Sequence, residues 1–129
     1  GEAAAIAFRV ALLSPQAEQV AQRHQPADAT EGFLIGLATG NLDGRVPPDS
    51  LGRAIWAAFR TPEPSTAAQA LLDANRKGEA IVQAMDSIAR GVRGDLRGVS
   101  EGLSLLRLGG LDSVARRTAL ELMILERRG

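Results

Sequence analysis

The chain has 129 residues, with fifteen acidic and fifteen basic side chains, one histidine and no cysteine. That length is enough for one domain with its own core. The balanced charge supplies no field to draw the chain onto nucleic acid or an anionic membrane. The absence of thiols rules out disulfides, thiolate metal sites and a cysteine nucleophile.

Ala, Leu and Arg dominate and β-branched alternation is scarce, which favours helix almost everywhere. The expected fold is all-α, with about eight short helices arranged as a helical bundle or as stacked α-hairpins. The first helix runs from Glu2 to Leu13 with Ile6, Val10 and Leu13 on one face. Its apolar run, broken by Arg9, is well short of the roughly 20 residues that span a bilayer, so no membrane insertion is expected. Ser14-Pro15 caps a second helix that ends near His24, before Gln25-Pro26. Asp28 or Thr30 caps a third, Glu31 to Thr39, anchored by Phe33, Leu34 and Leu37. After a loop from Gly40 to Pro48, a fourth helix sets Leu51, Ile55, Ala58 and Phe59 on one side and Trp56 on the flank.

Thr61-Pro62-Glu63-Pro64 is the clearest break, because two prolines within three residues forbid a continuous helix. It divides the chain into an N-terminal helical part (1–60), a connector (61–64) and two α-hairpins (65–129), expected to form one compact domain cut from a longer protein. The four later helices are Ser65 to Lys77, Glu79 to Arg90, Asp95 to Leu108 and Asp112 to Arg127, each stopped or preceded by glycine. Their predicted core stripes are Ile81, Met85, Ile88 and Val92, then Leu96, Val99, Leu103 and Leu106.

A shift of 34 residues lays Leu71-Leu72 on Leu105-Leu106, Ala80 on Val114 and Ile88 on Leu122. With that period, and with Lys77-Gly78-Glu79-Ala80-Ile81 at a turn entry, residues 66–129 resemble two tetratricopeptide-like α-hairpins. The resemblance implies stacked hairpins and a protein-binding role. The large aromatic that opens each such repeat and its closing proline are missing here.

Candidates for chemistry are few. His24 stands alone, with no second histidine or cysteine to complete a zinc site or a dyad, and its place at a helix C-terminus suits the helix dipole. Asn41, Asp43 and Gly44 imitate part of a calcium loop, but Thr39 and Ser50 stand where its terminal acids belong. Asp43, Gly44, Pro48 and Ser50 also resemble the calcium-like turn of small three-helix peptidoglycan-binding domains, with Val46 and Pro47 in place of the usual aromatic and glycine. The arginines Arg90, Arg93 and Arg97 flank a glycine-rich connector that lacks the Lys-Ser/Thr of a phosphate loop. One tryptophan, three phenylalanines and no tyrosine offer little for bases to stack on, so nucleic acid is not an expected partner.

No catalytic residue, metal ligand or cofactor site is therefore expected. The last helix carries Leu111, Ala115, Thr118, Leu122 and Leu125 on one face, with Leu120 and Ile124 about opposite. One helix cannot bury both faces against a single partner, so either it is sandwiched inside the domain or, the expectation taken here, Leu120 and Ile124 meet another protein, the rest of a parent chain or a second copy in a homodimer. Trp56, Arg93 and Arg97 complete the expected interaction surface. The resulting expectation is a non-catalytic protein-interaction or scaffolding module. The alternatives are a domain binding a peptidoglycan-like polymer through the Asp43–Trp56 region and a small enzyme.

Overall fold

A computed structural model describes residues 1–126, and within them the chain is all-α, with eight helices. These are α1 (Glu2–Leu12), α2 (Ala17–Arg23), α3 (Ala29–Thr39), α4 (Ser50–Arg60), α5 (Thr66–Asp73), α6 (Lys77–Arg93), α7 (Arg97–Leu108) and α8 (Asp112–Leu125). None is long and apolar enough to cross a membrane. The expected end of the last helix at Arg127 lies outside the described residues. The chain divides into two compact units, the first made of residues 1–48 and 116–129 and the second of residues 49–115. The division does not fall at Thr61–Pro64, which lies inside the second unit.

In the first unit α1 packs on α2 and α2 on α3. Helix α3 is apolar around its whole circumference and is buried from Glu31 to Ala38, as such a pattern requires. Asp28 is its N-cap, accepting the Glu31 N–H at 2.9 Å, and Gly40 ends it in the left-handed conformation at φ 81°. Gly32 and Gly36 let the following loop fold back against the helix. A Cβ on Gly36 would lie 2.7 Å from Leu42 Cδ2 and 2.9 Å from the Asn41 carbonyl oxygen, and one on Gly32 3.0 Å from the Arg45 guanidinium. Arg116 of α8 donates to the Ala38 carbonyl at 3.0 Å, placing a cation at the C-terminus of α3, where the helix dipole favours it.

Two faces in this unit differ from expectation. Helix α1 buries Phe8 and Leu12, leaving Ile6 and Val10 exposed, because the Phe8 ring stacks on His24 and turns the helix towards that contact. From Arg116 onward, where it belongs to this unit, helix α8 buries Ala119, Leu120, Leu122 and Met123, and exposes Leu125. With small Ala119 near the middle of the buried arc, the longer side chains flanking it on both sides reach inward. Leu120 is therefore only 3% exposed and Ile124 half-buried, which corrects their expected place on an outward face.

In the second unit α7 is central, packed against α4 on one side and α6 on the other, with α5 on α6. Asp49 caps α4 through the Gly52 N–H at 2.7 Å, and Ser65 caps α5 through the Ala68 N–H at 3.1 Å. Arg107 treats the end of α4 as Arg116 treats that of α3, donating to the carbonyls of Ala58 and Phe59 at 3.2 and 2.7 Å. Its other partners are Asp112 at 2.8 Å and the Phe59 ring, 4.9 Å below the guanidinium.

The contact between α6 and α7 is made by backbone. A Cβ on Gly102 would sit 2.6 Å from Ile88 Cγ1 and 2.7 Å from the Ala84 carbonyl oxygen. One on Gly91 would sit 2.6 Å from the Val99 nitrogen, and one on Gly98 2.7 Å from the Ser87 carbonyl oxygen. Ser87 Oγ donates across the seam to the Gly98 carbonyl at 2.9 Å. The buried face of α6 is accordingly Ala80, Ala84, Ile88 and Gly91, and not the expected Ile81–Met85–Ile88–Val92 stripe. Small residues dominate this face because helices that approach so closely leave room for a branched side chain only at Ile88, which sits opposite Gly102.

Gly102→Ala is expected to destabilise the chain by roughly 1–3 kcal/mol, the usual cost of overpacking. Gly78→Ala, on the same pair of helices but with nothing within 4 Å, should be neutral or stabilising by up to about 1 kcal/mol. Parallel urea melts of the two variants check the contrast.

Candidate functional site

In the first unit His24, Asp28 and Glu31 meet at the α2–α3 junction. Glu31 is the third residue of α3 and almost fully buried. Its Oε1 accepts the Ala27 N–H at 2.9 Å and the His24 Nε2–H at 2.8 Å. A carboxylate can only accept, so the proton of that bond sits on the imidazole. The His24 ring lies flat on Phe8, with centroids 3.7 Å apart and planes 11° from parallel. The Ala27 N–H holds the Glu31 carboxyl below its usual range against the opposing effect of burial, and the His24 bond acts in the same direction. This histidine reaches forward to α3 instead of back to the carbonyls of α2. Asp28-x-x-Glu31, which has the form of a capping box, was the sequence signal for that arrangement.

The loop after α3 is held as a turn. Asn41 Oδ1 accepts the Asp43 N–H at 3.0 Å, and Gly44 takes φ 73°. Among the described residues no group of three or more His, Cys, Asp or Glu side chains converges as a metal set. Asp43 belongs to the first unit and Trp56 to the second.

Of the residues singled out in the sequence, Trp56 and Arg97 come together. They line an open groove of about 500 Å³ between α4, the proline connector and α7, together with Arg60, Pro64, Ser100 and Glu101. Trp56 is half-buried, with the Arg60 guanidinium carbon 5.4 Å from its ring centroid, within cation–π range. Arg97 is tied at the start of α7, its backbone N–H donating to Asp95 Oδ1 at 2.9 Å and its guanidinium to Oδ2 at 2.7 and 2.9 Å. These bonds hold the Asp95 carboxyl below its usual range and the Arg97 guanidinium above its own. Arg90 pairs with Asp86 at 2.8 Å. Two of the three arginines near the glycine-rich connector thus carry a carboxylate partner. Arg93, exposed at the end of α6, does not line the groove.

A second surface has no counterpart among the expected site residues. Because Ala80, Ala84, Ile88 and Gly91 occupy the seam, the larger apolar residues of α6 point outward, with Val82 70% and Met85 42% exposed. Gly78, Val82, Met85, Ala89 and Val92 follow one another at steps of four, three, four and three, the spacing of a heptad seam. Charges border it as pairs, Arg76 with Glu79 at 2.6 Å and Arg90 with Asp86 at 2.8 Å. The signal was present in the sequence as an apolar arc on α6 about 200° wide, more than one neighbouring helix covers.

No protein-family model matches the chain, and no curated protein or solved structure matches it significantly.

Because Glu31 is held as a carboxylate by the fold, its stabilisation is present above the usual carboxylate range and is lost as pH falls through its lowered value. Glu31→Gln should cost about 1–2 kcal/mol at pH 7. The gap to the parent should narrow as pH falls below about 4. Thermal melts of both proteins across that range check the sign, and a gap that widens in acid would contradict it.

Proposed function

We propose that the chain is a non-catalytic helical module that binds another protein, and that its docking surface is the outer face of α6. The observation that carries this reading is the seam Gly78–Val82–Met85–Ala89–Val92, exposed from Gly78 to Ala89 and half-buried at Val92. It spans two heptads, about 21 Å of helix. A 4-3-4-3 row of apolar positions suits the apolar face of a partner helix, whose side chains would seat between those of α6. The small Gly78 and Ala89 leave room for larger knobs, Val82 and Met85 supply apolar area, and adaptable thioethers such as that of Met85 are common at binding surfaces. The paired charges along the rim would orient the partner more than they hold it.

Chemistry points the same way. Among the described residues no hydrogen bond joins His24 to a hydroxyl, and none joins the Thr61 or Ser100 hydroxyl of the Trp56 groove to the Glu63 or Glu101 carboxylate beside it.

Val82→Glu/Met85→Glu places two charges on the seam while leaving the buried face of α6 untouched. The melting curve should stay close to that of the parent, since exposed substitutions usually fall within about 0.5 kcal/mol. Proteins retained by the immobilised parent chain should no longer be retained, and any self-association seen by sedimentation should weaken. An unfolded double variant, or one with unchanged retention and sedimentation, would overturn the reading.

A further inference from the structure

Between α5, α6 and the end of α7 lies a cavity of about 230 Å³ walled by Leu72, Ile81, Leu105, Leu106 and Leu111. This is smaller than the roughly 300–1,000 Å³ of sites for drug-sized ligands, so it suits one short acyl chain or a single ring. Lys77 is the one ionisable side chain lining it, and among the described residues it has no ion-pair or hydrogen-bond partner. Its neighbours Arg76 and Glu79 satisfy each other at 2.6 Å, leaving the Lys77 ammonium as the uncompensated charge at that end of the helix. Lys77 is also the first residue of the 17-residue α6, and the N-cap residue Arg76 provides no side-chain acceptor for the first-turn amides. The helix dipole therefore adds to the ammonium in favouring an anion. An apolar enclosure with a cation at its margin discriminates by both size and sign. A neutral chain would leave the ammonium unused, and a cationic head would be repelled by it.

We infer that this cavity binds a small amphiphilic monocarboxylate, its short apolar tail among Leu72, Ile81 and Leu111 and its carboxylate on Lys77 Nζ. The site is separate from the Val82–Met85 seam in its residues, and the inference does not depend on the proposed partner helix.

The test is a titration of the isotope-labelled 129-residue chain with sodium octanoate, followed by amide and methyl NMR shifts. Saturable shifts centred on Leu72, Ile81 and Leu111 are expected. Lys77→Glu, an exposed change, should weaken binding by roughly fivefold or more by reversing the sign of the contact, with Lys77→Gln intermediate. Ile81→Trp, which fills the cavity, should abolish binding, while octyltrimethylammonium, with the same tail and the opposite charge, should not saturate the site. Shifts that never saturate, or that centre on Val82 and Met85, would overturn the inference. So would equal binding of the cationic amphiphile or an unchanged affinity in Lys77→Glu. Because the lysine variants leave the apolar wall of the cavity intact, the test stands even if Ile81→Trp disturbs packing.

Discussion

The second unit depends on one contact, the backbone approach of α6 to α7 through Gly91, Gly98 and Gly102. Each of these residues sits where a Cβ would meet the opposing helix at 2.6–2.7 Å. Glycine in a helix costs up to about 1 kcal/mol against alanine, and three such positions would weaken an isolated hairpin. The compensation is proximity. Main-chain atoms of the two helices come into van der Waals contact along the seam, and Ser87 hydrogen-bonds across it. Once the seam is fixed, the fate of every other α6 residue follows. Ile88 closes the core, and Val82 and Met85 turn to solvent.

The first unit solves a different problem, that of burying a helix on all sides without leaving its polar ends unsatisfied. At the N-terminus of α3, Asp28 accepts the Glu31 N–H, and Glu31 in turn accepts from Ala27 and His24. At the C-terminus, Gly40 makes the left-handed exit and Arg116 supplies a cation to the Ala38 carbonyl. The same device appears at the end of α4, where Arg107 binds two terminal carbonyls. The lone histidine belongs to this structural accounting. Its ring lies on Phe8 and its Nε2–H binds the buried Glu31 carboxylate, tying the end of α2 to the start of α3.

The proposed protein-binding role and the proposed carboxylate cavity share one cause. A helix whose inner face must be small displaces its larger apolar residues sideways and outward. Ile81 lines the cavity beside Lys77, and Val82 and Met85 form the seam.

By itself the sequence determined the all-α class, the number of helices and most of their limits, because glycine, proline and short polar caps act locally. Asp49, Ser65, Gly40 and the Thr61–Pro64 break all do what their residue types dictate. It also marked Trp56 and Arg97, which share a groove. Faces were less legible. Periodicity places Ile81, Met85 and Ile88 on one broad side of α6 but cannot say which part of that side meets a neighbour. It likewise sets Leu120 opposite Leu122 without knowing that α8 buries both. The partner of His24 lies seven residues away across a change of helix, and Arg107 binds carbonyls 48 and 49 residues upstream. Such choices belong to the tertiary structure, because burial depends on how closely two backbones can approach. Here that distance was decided by glycines whose side chains, being absent, leave no mark on a hydrophobic pattern.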